Sequence, residues 1–303
     1  MELRGIIPPL VTPLTEAGAL DEPGLERLIE HVLVGGVHGL FVLGTTGEAP
    51  GLPYAVRRRV IEASVAVTAG RVPVLVGITD TAMAESVALA EHAATCGADA
   101  VTVAPPYYLP PGQPELQHYF EQLVPQLPLP CVLYNMPPLT KVSIGPAVLE
   151  ALRDVEGIVA VKDSSGDLSY FHALRHLAHD VPRWSVFMGP ELLMMDSVLA
   201  GGDGGVAGGA NLFPAFFVRA YEAAARGDLE EVRALETQML QIRRLYAVGQ
   251  HASAIIKGIK AALASMGICG PDLAAPFQRF LPPERAAVDA LLAELDPVVR
   301  GHG

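Results

Sequence analysis

Short, uninterrupted apolar runs recur along this chain, each followed by a longer segment with helical periodicity. That alternation limits the folds open to it. The runs are GIIPPL (5–10), GLFVLG (39–44), VPVLVGI (72–78), AVTVAPP (100–106), CVLYN (131–135), GIVAVKD (157–163), WSVFMG (184–189) and GGVAGG (204–209), eight in all. Most are rich in Val, Ile and Leu without polar alternation, the pattern of parallel strands covered on both faces. Between them lie helical patterns such as EPGLERLIEHVLVGG and ESVALAEHAATCGA, several ending in glycine, a frequent helix stop. Strand and helix repeated eight times predict an α/β fold of the (β/α)8 TIM barrel type rather than a doubly wound sheet. No Gly-x-Gly-x-x-Gly follows the first run, which weighs against the dinucleotide-binding alternative.

After the eighth run the pattern stays helical through AFFVRAYEAAARG, LEEVRALETQMLQIRRLYAVG, ASAIIKGIKAALASMG and a last helix near PPERAAVDALLAEL. One barrel needs a single closing helix, so the surplus predicts a C-terminal helical extension. The expected division is a barrel over 1–225 and a helical domain over 226–303 packed on it. At 303 residues, half of them apolar, the chain has ample core and needs no metal or disulfide staple.

The net charge of −12 argues against nucleic acid as a partner, because phosphate contacts need clustered cations. The one basic run, Arg57-Arg58-Arg59, falls in a helical pattern and reads as a solvated face. Cys96, Cys131 and Cys269 are odd in number and widely spaced, as expected of reduced thiols in a cytoplasmic protein. The proline-broken N-terminus has no apolar signal-peptide core, and no apolar run approaches the ~20 residues of a membrane span.

In such a barrel, reactive groups sit at the C-terminal ends of the strands. The second run ends in Gly44-Thr45-Thr46-Gly47-Glu48, the fourth leads to Tyr107-Tyr108, the fifth ends in Tyr134-Asn135, the sixth reaches Lys162, the seventh ends at Gly189 and the eighth passes through Val206. A lysine at the end of a buried strand is costly to desolvate. Desolvation disfavours its charged form, and a neutral amine can form a Schiff base with a ketone. The same position also suits a lysine that snorkels from the mouth, or one paired with Asp163 or Asp167. Tyr134, on the neighbouring strand, could relay protons to the imine or to a substrate hydroxyl, with Thr45 and Tyr108 as hydroxyl partners. The GTTGE turn offers glycine N–H groups and two threonine hydroxyls to a carboxylate. Glu48 reads as a helix-start carboxylate complementing the dipole.

Taken in order, GTTGE, YY, YN-x-P, K-D-x-x-G-D and GGDGGVAGGAN make a chain that resembles the dihydrodipicolinate synthase/N-acetylneuraminate lyase family, the pyruvate-type class I aldolases. The resemblance extends over essentially the whole chain. It implies a TIM barrel with C-terminal helices, no cofactor and no metal, and a homotetramer built as a dimer of dimers. It implies Lys162 as the Schiff-base lysine and Tyr134 as the acid/base tyrosine. Thr45 and Tyr108 complete the relay, Tyr108 reaching into a neighbouring subunit's site. Thr46, with its backbone, matches the binder of the 2-oxo acid carboxylate, and Val206 the strand-eight residue whose backbone faces the pyruvyl group; Gly47 and Gly189 are further candidate substrate-binding positions. The implied substrates are a 2-oxo acid, either pyruvate or a 2-keto-3-deoxy acid, and an aldehyde.

Two departures bear on the second substrate. Dihydrodipicolinate synthases carry an arginine in YN-x-P-x-R-T that grips a carboxylate. Here Leu139 stands in that place, which disfavours condensation with aspartate semialdehyde, the 4-hydroxy-tetrahydrodipicolinate synthase reaction. Sialic acid lyases carry an acidic pair after the strand-seven glycine, whereas here only Glu191 could contact a polyol hydroxyl. Lys141 is a possible displaced cation, though a solvated loop lysine is the plainer reading. His172, His176 and His179 share a helix face on the outer ring and read as an exposed or interface stripe. The expectation is a class I aldolase acting through a Lys162 imine. The alternatives are a 2-keto-3-deoxy sugar-acid dehydratase with the same imine and a non-catalytic 2-oxo acid binding barrel.

Overall fold

The computed structural model describes residues 3–300. Eight parallel strands form one sheet: β1 (Gly5–Ile6), β2 (Leu40–Val42), β3 (Val74–Gly77), β4 (Ala100–Val103), β5 (Cys131–Asn135), β6 (Ile158–Asp163), β7 (Ser185–Met188) and β8 (Gly204–Gly205). Each of the eight apolar runs supplies one strand. Neighbours pair in sequence order from β2 to β8, and β8 pairs with β1 through Gly5↔Gly204 and Ile6↔Gly205. The remaining gap is closed by a parallel bridge between Pro9 and Phe41, where Leu10 N–H donates to Phe41 O at 2.8 Å and Phe41 N–H to Pro8 O at 3.0 Å. Pro8 and Pro9 lack N–H donors, so this seam cannot form a continuous ladder and β1 is shorter than its apolar run. The fold is a (β/α)8 TIM barrel with a C-terminal helical extension.

The barrel interior is filled. Leu3, Ile7, Phe41, Leu75, Ala100, Val132, Ala160, Phe187 and Val206 pack together inside it, separate from the larger core between strands and helices. Their spacing follows from the pleat: side chains alternate faces along a strand, so Val132 and Ala160 point inward, and so do the residues two further on.

The outer layer comprises α1 (Glu22–Val34), α2 (Tyr54–Thr68), α3 (Met83–Cys96), α4 (Gln113–Leu123), the short α5 (Pro137–Thr140) and α6 (Pro146–Ala151), α7 (Leu168–His179), α8 (Met194–Leu199) and α9 (Pro214–Arg226). Asp21 and Asp167 cap α1 and α7, each accepting from backbone N–H groups of the first turn. The extension comprises α10 (Leu229–Ile242), α11 (Ala254–Ser265) and α12 (Pro282–Arg300). The helical pattern LEEVRALETQMLQIRRLYAVG does not run through as one helix, because it tightens to a 3-10 turn over Arg243–Ala247. His172, His176 and His179 are exposed on α7. Among the described residues no helix is long and apolar enough to cross a membrane.

The reading of Arg57-Arg58-Arg59 as a solvated face needs correction. Arg57 is buried, donating to Asp80 Oδ2 at 3.1 Å and to Leu52 O at 3.0 Å, beneath the Tyr54 ring. Asp80 follows β3, and burial pushes its carboxyl up. Hydrogen bonds from Ala82, Tyr54 and Arg57 outweigh that and leave it below its ordinary range. Only the helix period was visible in the triplet, not that the Arg57 position faces a buried carboxylate. Arg59 pairs with Glu22 and Glu62 on the surface.

Gly204 has φ +156°, and a methyl there would collide with the backbone of Gly5 across the closing pair. Gly204→Ala should therefore destabilise the fold by about 1–3 kcal/mol or more, as overpacking against an immovable backbone does. Urea titration followed by circular dichroism would read this as a lower midpoint, and an unchanged midpoint would contradict tight closure at β1–β8.

Candidate active site

β5 and β6 pair in register, with Tyr134 opposite Lys162 and Asn135 opposite Asp163. Tyr134 and Lys162 are each two residues beyond an inward residue, so both enter the barrel, while Asn135 and Asp163 face outward. Lys162 is only 5% exposed. Its Nζ lies 3.9 Å from the centroid of the Tyr134 ring and 5.1 Å from that of Phe41, and the two rings meet edge to face. An ammonium in such a place recovers from the ring faces part of what it loses in water.

The hydroxyl of Tyr134 lies 3.4 Å from Thr45 Oγ1. Burial pushes this phenol up. The charge of Lys162 and hydrogen bonds with Thr45, Ser164 and Lys162 outweigh burial, and the phenol titrates below its ordinary range. Ser164, which the sequence reading passed over, thus joins the cluster. Gly189 makes room for it, because a methyl at Gly189 would overlap Ser164 Oγ. Gly189 N–H also donates to Asp163 O at 2.7 Å, which fixes the end of β7 against β6.

Neither acid proposed as a partner for Lys162 is free to serve. Asp163 Oδ1 accepts from Asn135 Nδ2 at 2.9 Å and from Ser165 N–H at 3.0 Å, and Oδ2 accepts from the Ser165 hydroxyl at 2.9 Å. Asn135 Oδ1 in turn accepts from Ile144 N–H at 3.0 Å. This outward network clamps the ends of β5 and β6 and holds the Tyr134–Lys162 pair from behind. Asp167 is occupied as the cap of α7.

The GTTGE turn forms one wall. Thr45 and Thr46 are half-buried. Gly47 O accepts from Thr12 Oγ1 at 2.7 Å, and Gly47 has backbone of Leu10 and Leu43 too close for a larger residue to fit freely. Glu48 departs from the expected role. It adopts φ +56°, makes no capping bond to the 3-10 turn over Ala49–Gly51, and turns its carboxylate into the interior. There Oε1 lies 2.5 Å from Lys260 Nζ and Oε2 accepts from Ala274 N–H at 2.9 Å.

Val206 is buried in the interior layer, with its N–H donating to Met188 O at 2.8 Å. Gly208 lies between Glu191 and Thr46, because a methyl there would sit 3.4 Å from Glu191 Oε1 and 4.0 Å from Thr46 Oγ1. The Glu191 carboxylate accepts from Gly209 N–H, and both its oxygens accept from the Tyr246 hydroxyl, at 3.2 and 3.1 Å. Burial pushes its carboxyl above the ordinary range, although the Gly209 and Tyr246 bonds pull the other way. Tyr246 was not apparent from the sequence, since nothing local distinguishes it from a core tyrosine.

The fold does not bring Tyr108 to this cluster. It is 96% exposed at φ +75°, beside the equally outlying Leu109, whereas Tyr107 turns toward Asp80 and Arg57. Leu139 is half-exposed on α5. Lys141 folds back so that its Nζ donates to Pro138 O at 2.6 Å.

Comparison with known proteins places this arrangement. A dihydrodipicolinate synthase structure from Bacteroides thetaiotaomicron superposes with TM-score 0.94 at 50% identity, covering 97% of this chain and 99% of that one. YagE of Escherichia coli K12, solved in complex with pyruvate, superposes with TM-score 0.91 at 31% identity, covering 97% and 99%. The probable 2-dehydro-3-deoxy-D-pentonate aldolase YjhH of Escherichia coli K12 is 34% identical over 258 residues, 84% of this chain and 86% of that protein. Residues 2–295 match the dihydrodipicolinate synthetase family as a whole, and the chain belongs to that family.

Proposed function

We propose that this enzyme makes or breaks a carbon–carbon bond at the carbon next to the carbonyl of a pyruvate-type 2-oxo acid, with Lys162 as the imine-forming amine and a hydroxylated aldehyde as the second substrate. One observation carries the reading: a buried amine lies over the ring of a tyrosine whose hydroxyl reaches Thr45 and Ser164. Neutral Lys162 Nζ adds to the C2 carbonyl, and the carbinolamine loses water to give an iminium ion. In the cleavage direction a base takes the proton of the C4 hydroxyl and the C3–C4 bond breaks. Its electron pair moves into the iminium as an enamine, and the aldehyde departs. Protonation at C3 and hydrolysis then release pyruvate and the free amine. Tyr134, with its phenol lowered, is suited to take and return these protons, and Thr45 and Ser164 to hold its hydroxyl. Thr46 and Gly47 are suited to the substrate carboxylate, and Gly189 and Val206 line the space for the pyruvyl group.

The aldehyde side points away from a second carboxylate. Leu139 offers no charge, the ammonium of Lys141 is turned onto Pro138 O, and Glu191 places a carboxyl group close to Gly208. These favour a 2-keto-3-deoxy sugar acid, whose hydroxyls can donate to Glu191. Tyr108, exposed and held in a left-handed conformation, fits a residue presented to a neighbouring subunit's site, in keeping with a homotetramer.

Incubation with pyruvate and borohydride should reduce an adduct onto Lys162, located by mass spectrometry. Label elsewhere, or label persisting in Lys162→Ala, would reject the imine. Tyr134→Phe should lower kcat by about a hundredfold to ten-thousandfold, the usual range for a lost proton relay, and a smaller effect would leave the phenol a packing role. On a panel of 2-keto-3-deoxy acids the enzyme should release pyruvate. Faster turnover of pyruvate with aspartate semialdehyde would overturn the substrate assignment, and a dioxo product of unchanged carbon count would identify a dehydratase.

A further inference from the structure

Glu48 and Lys260 make a buried ion pair that the chemistry above does not use. Their side chains are 2% and 0% exposed, with Nζ and Oε1 2.5 Å apart. Such a pair is poor evidence of stability, because desolvating both charges offsets much of their attraction. Here it joins two distant parts of the chain. Glu48 is the last residue of the GTTGE turn, and Lys260 lies on α11 in the C-terminal extension. Lys260 directs a hydrogen bond to Asp272 O at 2.6 Å, and Glu48 Oε2 takes the N–H of Ala274. Both oxygens of Glu48 are thus engaged by the extension. Burial holds Lys260 below the ordinary lysine range, with Glu48, Cys269 and Asp272 pulling it back up.

The turn that this carboxylate anchors is strained. Leu43 and Glu48, on either side of Gly44–Gly47, both have left-handed φ, +58° and +56°. A leucine and a glutamate stay in that region only when their surroundings hold them there. Glu48 N–H donates to Thr45 O at 3.0 Å, so the anchored residue is bonded directly to the one whose hydroxyl meets Tyr134.

We infer that Lys260 is a positioning residue: through Glu48 it holds the GTTGE turn in the shape that presents Thr46 and Gly47 to the substrate carboxylate. The C-terminal extension is then part of the binding apparatus, although Lys260 touches no substrate. This rests on the pyruvate imine proposed above.

The decisive variant is Glu48→Gln/Lys260→Met, which leaves no unpaired buried charge and should fold. Borohydride labelling of Lys162 is measured against pyruvate concentration, with circular dichroism and thermal melting as controls. The half-saturating concentration should rise about tenfold while labelling at saturation stays at the wild-type level, as a loss of carboxylate binding without loss of the amine requires. The single variants, where folded, should show the same rise rather than halves of it, since the two residues act as one unit. A half-saturation within about twofold of wild type, a matching fall in maximal labelling, or failure of the double variant to fold would each overturn the proposal, leaving the pair only a structural role. Absence of label in the wild type would instead refute the imine itself.

Discussion

The site depends on one consequence of strand geometry. In a closed parallel barrel every second side chain points inward, and the interior narrows to a packed floor of Phe41, Leu75, Val132, Ala160 and Phe187. Lys162 stands one inward step above Ala160, and Tyr134 one above Val132. Because β5 and β6 are in register at these two residues, an amine and an aromatic ring come together without any loop having to place them. The ammonium is kept from water, and the ring faces compensate for part of that loss. Its charge also lowers the phenol beside it.

The fold was legible in the sequence because its signal is local. Each strand is a short run of apolar residues, and each helix has its own period. Lys162 and Tyr134 were legible because a polar residue that ends an apolar run violates the local pattern. The remainder was hidden for reasons of distance. The reading of Glu48 as a dipole partner failed because its real partners, Lys260 and Ala274, lie on the extension, and no local pattern couples a turn to a helix so far along the chain. Arg57 looked like part of a surface run because its two neighbours are arginines, whereas one turn of helix separates a solvated face from a buried one. Ser164 was missed because its approach to Tyr134 depends on the missing side chain of Gly189 across β6 and β7.

Two carboxylates belong to the turns that end β2 and β7, and the C-terminal extension contacts both. Glu48 is held by Lys260 and Ala274, and Glu191 by the Tyr246 hydroxyl together with Gly209 N–H. A barrel alone leaves its βα turns to be shaped by their own backbone. Here the turns after β2 and β7 are pinned from outside by helices with no strand of their own. The surplus helices therefore meet the barrel at the turns that end β2 and β7, through side chains rather than backbone pairing.

The same division separates the parts of the site that can change from those that cannot. Tyr134, Lys162 and the Asn135–Asp163 clamp belong to strands, where a substitution disturbs register and packing together. Leu139 and Lys141 belong to α5 and the residue after it, exposed at the rim and bonded mainly to their own segment. Charge can be gained or lost there without moving the amine. A chain can therefore match synthases and sugar-acid aldolases equally well along its barrel while its second substrate is decided by a few rim residues. Shared fold and shared imine chemistry fix the 2-oxo acid half of the reaction, and the aldehyde half has to be argued from Leu139, Lys141 and Glu191 one contact at a time.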